Sequence, residues 1–124
     1  METRLHGSQS FPKRQRLQYN SQFRRVYDQG RRYYGSLVVA YVLDAPDEPR
    51  AAGVVTSRKV GNAVARNRAR RLLREAYRLN QHQLQDHCQI VMVARQSING
   101  KTRRDVEACL LDLFRSAGLL CAAC

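Results

Sequence analysis

A single mixed α/β domain, with helices on one or both faces of a sheet, is the fold class that this sequence predicts. Three observations predict it. Residues 37–43 (LVVAYVL) and 51–57 (AAGVVTS) are β-rich runs on either side of a turn that holds Pro46 and Pro49. Residues 63–80 place apolar side chains at helical spacing. Residues 88–94 (CQIVMVA) return to a strand pattern before a second helical stretch. The order is helix, strands, helix, strand, helix, over 124 residues of which 44% are hydrophobic. That is the size of one domain with a modest core.

Residues 1–15 are polar and basic, with Phe11-Pro12 as their apolar anchor, and read as an arm ahead of a domain at 16–118. Asn20 and Ser21 are good N-caps for a helix over 22–29, which Gly30 stops. Phe23 and Tyr27 are four apart and share a helix face, with Val26 beside them. Residues 31–36 add a short strand. The runs 37–43 and 51–57 are expected to pair as an antiparallel hairpin. Gly61-Asn62 opens the long helix over 63–80, and the strand–helix–strand unit 51–94 is ordinarily a right-handed crossover. Asn99-Gly100 marks a turn. Thr102, with Asp105 three residues on, caps a last helix whose Val106, Cys109, Leu110, Leu113 and Phe114 share one face. Residues 119–124 read as a short apolar tail.

Charge narrows the function. Lysine and arginine total 22 against 10 acids, a net charge of +12, with an isoelectric point near 10.4. Lys13, Lys59 and Lys101 are the only lysines; the other cations are arginine, whose planar guanidinium grips phosphates and base edges bidentately. So large an excess repels itself in a compact chain, and nucleic acid is the expected partner. No apolar stretch approaches the roughly 20 residues of a membrane span, which excludes a helical membrane protein. No apolar signal follows Met1-Glu2-Thr3-Arg4, so a cytoplasmic location is expected. Cys88 and Cys109 read as small buried hydrophobes, and Cys121-Ala-Ala-Cys124 lacks the second pair that a zinc site needs. His82 and His87 read as exposed loop residues, with no nucleophile or paired carboxylate near them in sequence. No catalytic and no metal-ligating side chain is expected in this chain.

The strongest signal is the segment 58–78, which holds eight basic residues and one acid, Glu75. On a helical wheel Ala65, Ala69, Leu72, Leu73 and Ala76 fall within an arc of roughly 100°, with Arg66, Asn67, Arg70, Arg71, Arg74 and Arg78 on the other side and Arg68 at the border. A solvated helix face mixes signs, whereas Arg66, Arg70, Arg74 and Arg78 stack like charge at four-residue steps. A helix that accepts this repulsion is expected to have an anionic partner.

The segment Arg58-Lys59-x-Gly61-Asn62-Ala63-Val64-x-Arg66-Asn67-Arg68-x-Arg70-Arg71-Leu72-x-Arg74-Glu75-x-Tyr77-Arg78 resembles the signature of the bacterial ribonuclease P protein family. Arg16-Leu17, then Phe23-x-x-Val26-Tyr27 and Gly30, are similar to that family's first helix. Gly53-Val54-x-x-Ser57 is similar to its strand into the signature, Val91-x-Val93-Ala94-Arg95 to its last strand and Leu113-Phe114-Arg115 to its closing helix. Residues 12–117 are covered in the right order. Some members carry Lys where this chain has Arg58 and Arg70, which keeps the charge, and Tyr19 stands where some have a lysine.

The resemblance implies an α+β sandwich similar to the second domain of ribosomal protein S5, in the order α-β-β-β-α-β-α, with a left-handed βαβ crossover in place of the ordinary hand. It implies a subunit of an endoribonuclease that removes the 5′ leader of precursor tRNA, with hydrolysis and its Mg²⁺ ions carried mainly by a catalytic RNA subunit. Two surfaces follow from it. Arg58, Lys59, Arg66, Asn67, Arg68, Arg70, Arg71 and Arg74 would bind the RNA subunit. Arg16, Phe23, Tyr27 and Tyr41 would form a cleft for the single-stranded leader. The implied partners are that RNA, in equimolar ratio, and precursor tRNA, with no obligate protein partner and no membrane. Seven of the nine aromatics lie within residues 1–41, which suits a stacking platform in a basic groove. The alternative for Phe23 and Tyr27 is the core of the first helix, and Tyr33, Tyr34 and Tyr77 are weaker candidates for the platform. Two other classes share the charge. A ribosomal or general RNA-binding protein of the same fold would bind RNA without leader dependence. A stand-alone metal-dependent nuclease would need clustered carboxylates, which the sequence does not show.

Overall fold

The computed structural model describes residues 15–120. They form α1 (Asn20–Gln29), β1 (Arg31–Tyr34), β2 (Val38–Asp44), β3 (Ala51–Val55), α2 (Ala63–Asn80), β4 (Cys88–Ala94) and α3 (Arg103–Ser116), with 3-10 turns at Gln81–Gln83 and Gln96–Ile98. The expected α+β order is present. Helix α2 has the expected bounds because its start is written locally: Gly61 takes a φ of 146°, and the Asn62 Oδ1 accepts the Ala65 N–H at 2.9 Å. Helix α3 is capped as expected, Thr102 N–H donating to Asp105 Oδ2 at 2.9 Å and Asp105 N–H to Thr102 Oγ1 at 3.3 Å.

Helix α1 begins two residues earlier than the sequence suggests. Neither Asn20 nor Ser21 caps it; instead Gln22 Oε1 reaches back to accept the N–H groups of Gln18 (2.6 Å) and Tyr19 (2.9 Å). Gly30 ends the helix in an extended conformation, with φ at −85°. A Cβ there would lie 2.6 Å from the Val26 carbonyl oxygen and 2.8 Å from that of Val42, so glycine is required by close backbone approach as the chain turns into β1.

The sheet order is β1-β2-β4-β3, with β1–β2 and β2–β4 antiparallel and β3–β4 parallel. This corrects the expected hairpin of 37–43 with 51–57: β4 lies between β2 and β3. The loop 45–50 crosses the start of β4 rather than folding back on β2. Ala45 N–H donates to the His87 carbonyl at 3.2 Å, His87 Nδ1 lies 2.9 Å from the Glu48 carbonyl, and Gln89 Nε2 donates to the Pro49 carbonyl at 3.1 Å. The hairpin that does form is β1–β2, closed by Gly35 N–H on the Val38 carbonyl at 2.8 Å.

Strand alternation sends Val38, Ala40 and Val42 of β2 and Cys88, Ile90, Met92 and Ala94 of β4 to one face. Ala69, Leu73, Ala76 and Tyr77 of α2 close over them, with Val106, Cys109, Leu110, Leu113 and Phe114 of α3. Cys88 and Cys109 are buried free thiols, as expected. Leu119 joins this core and Leu120 bridges to Leu84, so packing continues past Gly118. Among the described elements, α1 is the helix on the opposite face. There Val26 packs with Val91 and Leu17, and Phe23, Tyr41, Leu43, Ala51, Val55 and Val93 are partly buried around them. The arm assigned to 1–15, except Gln15, and the Cys121/Cys124 pair lie outside the described residues.

Candidate nucleic-acid interface

Burying Ala69, Leu73, Ala76 and Tyr77 turns Arg66, Asn67, Arg70, Arg71 and Arg74 of α2 away from the sheet. The contacts of Arg66, Arg68 and Arg70 are hydrogen bonds to neutral groups. Arg66 donates to the Gly61 carbonyl at 2.8 Å, Arg68 to the Lys101 carbonyl at 2.6 Å, and Arg70 to Asn67 Oδ1 at 2.8 Å and Thr56 Oγ1 at 2.9 Å. Among the described residues no carboxylate forms an ion pair with these arginines, nor with Arg58 and Lys59, which stand exposed in the turn between β3 and α2. Arg78 differs. It pairs with Glu75 at 2.8 Å, so the four-step arginine run ends in a neutralised residue.

Beside this helix lies a concavity of about 520 Å³ lined by Arg16, Arg68, Arg71, Arg74, Arg78 and Arg103, with Glu75 as its one acid. Arg16 enters it from the outer edge of β3, where its backbone bridges to Ala52 and the next residue, Leu17, donates its N–H to the Ala52 carbonyl at 2.9 Å. Burial first, then the charges of Arg16 and Arg70, holds the Arg74 guanidinium below its ordinary pKa.

Across the sheet, three of the four expected cleft residues meet. The Tyr27 and Tyr41 rings pack edge to face, with centroids 4.7 Å apart and planes at 83°. Burial, and then the neighbouring Tyr41, raises the Tyr27 hydroxyl above its ordinary value. Phe23 seats over Gly53, where a Cβ would stand only 2.5 Å from its ring. Arg16 does not join these aromatics. Leu17 packs among them while Arg16 lines the arginine concavity, so the segment 16–17 is a seam between the two surfaces.

The remaining aromatics separate cleanly. Tyr77, inside the signature segment, is a core residue: it is 1% exposed, accepts from Arg50 Nε at 3.1 Å, and burial pushes its hydroxyl to about 12. Tyr33 packs against the main core, and Tyr34 stands 65% exposed. Arg50, which the sequence did not distinguish from the other arginines, also donates to the Leu84 and Gln85 carbonyls at 3.2 and 3.0 Å. It is a fold-holding arginine in a loop, and composition gives no signal for that. His82 and His87 are exposed, as expected. Among the described residues, no three His, Cys, Asp or Glu side chains gather where they could hold a metal ion.

The mixed sheet thus carries a positive helix with neutral partners on one side and an aromatic groove on the other. A family model for ribonuclease P matches residues 11–118. The chain belongs to the ribonuclease P protein family. It is 38% identical over 109 residues to the ribonuclease P protein component of Clostridium novyi, covering 86% of this chain and 96% of that one. It is 36% identical over 105 residues to that of Alkaliphilus metalliredigens, covering 85% and 95%. Among solved structures it resembles the Staphylococcus aureus RNase P protein, with a TM-score of 0.77 at 25% identity over 86% of this chain and 98% of that one. It also resembles the RNase P protein from Thermotoga maritima, with a TM-score of 0.72 at 25% identity over 81% and 96%. Membership places the chain among the protein components of a tRNA-processing ribonuclease complex.

Proposed function

We propose that this ribonuclease P protein binds the catalytic RNA of the complex through the arginine face of α2, and the single-stranded 5′ leader of precursor tRNA through the groove beside α1. The observation that supports this most is the ladder Arg66, Arg70, Arg74, flanked by Arg58, Lys59, Arg68 and Arg71, with which no described carboxylate forms an ion pair. RNA phosphates would supply the missing anions, with Asn67 adding an amide that already orients Arg70. Phe23, Tyr27 and Tyr41 would stack unpaired bases, which every leader sequence offers. Arg16, at the seam, would take a phosphate between the two surfaces. In this reading the chain works in the cytoplasm, equimolar with the RNA and without an obligate protein partner. Among the described residues no helix is long and apolar enough to cross a membrane.

Hydrolysis is assigned to the RNA with Mg²⁺. Among the described residues no three His, Cys, Asp or Glu side chains gather where they could hold that ion. Glu48, Glu75, Glu107 and Asp112 pair with arginines, and Asp105 caps α3. The part left to the protein is to hold the RNA and to restrain the leader.

Cleavage of precursor tRNA at low Mg²⁺ tests this, with the protein alone, a bacterial ribonuclease P RNA alone, and both together. Cleavage only with both is expected. Cleavage by the protein alone, surviving ribonuclease treatment, would revive the protein-nuclease reading. No rescue of the cognate RNA by folded protein would favour a ribosomal or general RNA-binding role. Affinity for the RNA should fall with salt at a log–log slope of about −0.7 to −0.9 per neutralised phosphate. A flat salt response would refute the basic face.

A further inference from the structure

One row of the open sheet face is only partly covered by α1 and the residues around it. Strand pairing sets Tyr34 opposite Val39, Val39 opposite Val93, and Val93 opposite Val55. Directly paired residues share a face, so these four line up across all four strands, a span of about 14 Å at the usual strand spacing. The neighbouring row, Arg32–Tyr41–Val91–Gly53, is the one α1 sits on, and there Val91 is fully buried. In the partly covered row Val39 is half-buried, Val93 and Val55 are half-buried against the α1 cluster, and Tyr34 is exposed.

The two ends of this row are both positive. Beyond Val55 comes Thr56, which holds the Arg70 guanidinium at 2.9 Å. At the other end the Arg32 guanidinium sits 5.0 Å from the centre of the Tyr34 ring, and Arg95 donates to the Gly35 carbonyl at 2.8 Å. No described carboxylate forms an ion pair with Arg32 or Arg95. The guanidinium lies over the ring, and the tyrosine still stands exposed to solvent.

We infer that Tyr34, with Arg32 and Arg95, is a further stacking subsite for an unpaired base of single-stranded RNA, at the end of the groove remote from α2. The inference rests on the leader reading above. A strand that stacks on Tyr41 and Phe23 continues toward the exposed Tyr34 end of this row, places a base on Tyr34, and sets its phosphates against Arg32 and Arg95. The occupant is the upstream part of the same leader. An aromatic face with flanking cations accepts any base, so the subsite responds to leader length more than to leader sequence.

The test uses the reconstituted complex of protein and ribonuclease P RNA, with two precursor tRNAs. One leader is too short to pass Tyr41; the other is long enough to cross all four strands. Affinity for each is measured with wild-type protein and with the Tyr34→Ala, Tyr34→Phe and Tyr41→Ala variants. Tyr34→Ala is expected to weaken binding of the long-leader substrate about fivefold or more, the lower end of a lost base stack. It should leave the short-leader substrate as it was, and Tyr34→Phe should bind both like wild type. Replacing bases of the long leader one at a time with abasic nucleotides should locate one position at which Tyr34→Ala costs nothing further. If Tyr34→Ala matches wild type on both substrates while Tyr41→Ala weakens them, the subsite is wrong and the leader reading stands. If Tyr41→Ala also changes nothing, the leader reading itself fails. Equal loss on both substrates, with an unchanged melting curve, would overturn the subsite in favour of a contact made by the β1 edge with another macromolecule.

Discussion

On β4, Ile90 and Met92 point into a face sealed by α2 and α3, while Val93, one residue along from Met92, points to the other face and stays half-buried. The side chains are of one kind, and the two faces are used differently. Two long helices with wide apolar stripes exclude water from the first face. A ten-residue helix with one fully buried side chain, Val26, covers part of the second. The uncovered part is apolar, aromatic and rimmed by arginine. Such a face contributes little to folding, and its composition suits a ligand with flat apolar rings and anionic links.

That contrast can be broken by substitution. On the sealed face, Phe114→Ala should lower stability by about 3–5 kcal/mol, and Met92→Ala by about 2–5 kcal/mol, in urea unfolding. Val93→Ala should cost about 1 kcal/mol or less and act instead on leader affinity. A Val93→Ala loss equal to that of Met92→Ala would make the open face ordinary core.

Alkali sharpens it next. The Tyr77 hydroxyl, on the sealed face, is pushed from 10.0 to about 12, and burial pushes the Cys88 thiol from 9.0 to about 11. Both groups ionise more readily unfolded than folded. Their stability contribution is therefore full below the unfolded values and is lost as pH rises through the folded ones. About 3 kcal/mol should disappear between pH 10 and 12 through Tyr77, and Tyr77→Phe should flatten that decline.

On the open face, Gly53→Ala sets a methyl group against the Phe23 ring and should cost about 1–3 kcal/mol while displacing the ring and weakening leader binding. The smallest effect belongs to the start of α2. Asn62→Ala removes its N-cap at about 1 kcal/mol, and RNA affinity should fall modestly as the first turn, which carries Arg66, frays.

Much of this was legible in the sequence wherever the signal is local. The bounds of α2, the Thr102–Asp105 cap and the five buried positions of α3 follow from periodicity and capping chemistry. The pairing of β2 with β3 was misread because strand order is not local. The turn at 45–50 looks like a hairpin connection, and only its bonds to His87 and Gln89 show that it spans another strand. Sequence does not separate Tyr77 from a binding tyrosine, because Arg50, which caps its hydroxyl, is distant along the chain. Arg16 was grouped with the aromatics by position, yet alternation at 16–17 turns it toward the arginines. Of the candidate site, the arginine face was readable from the wheel. The extent of the groove was not, because it depends on how little of the sheet a short helix can cover.

The last strand to be synthesised, β4, lies inside the sheet, between β2 and β3. Until residue 94 has been made, β3 lacks its strand partner, β2 has only β1, and the arginines of α2 are displayed on a chain that cannot yet close its core. Folding must therefore wait on a distant pairing, and such pairings form slowly. A nascent or truncated chain stopped before β4 would present the positive charge without the geometry that directs it, and would bind polyanions indiscriminately.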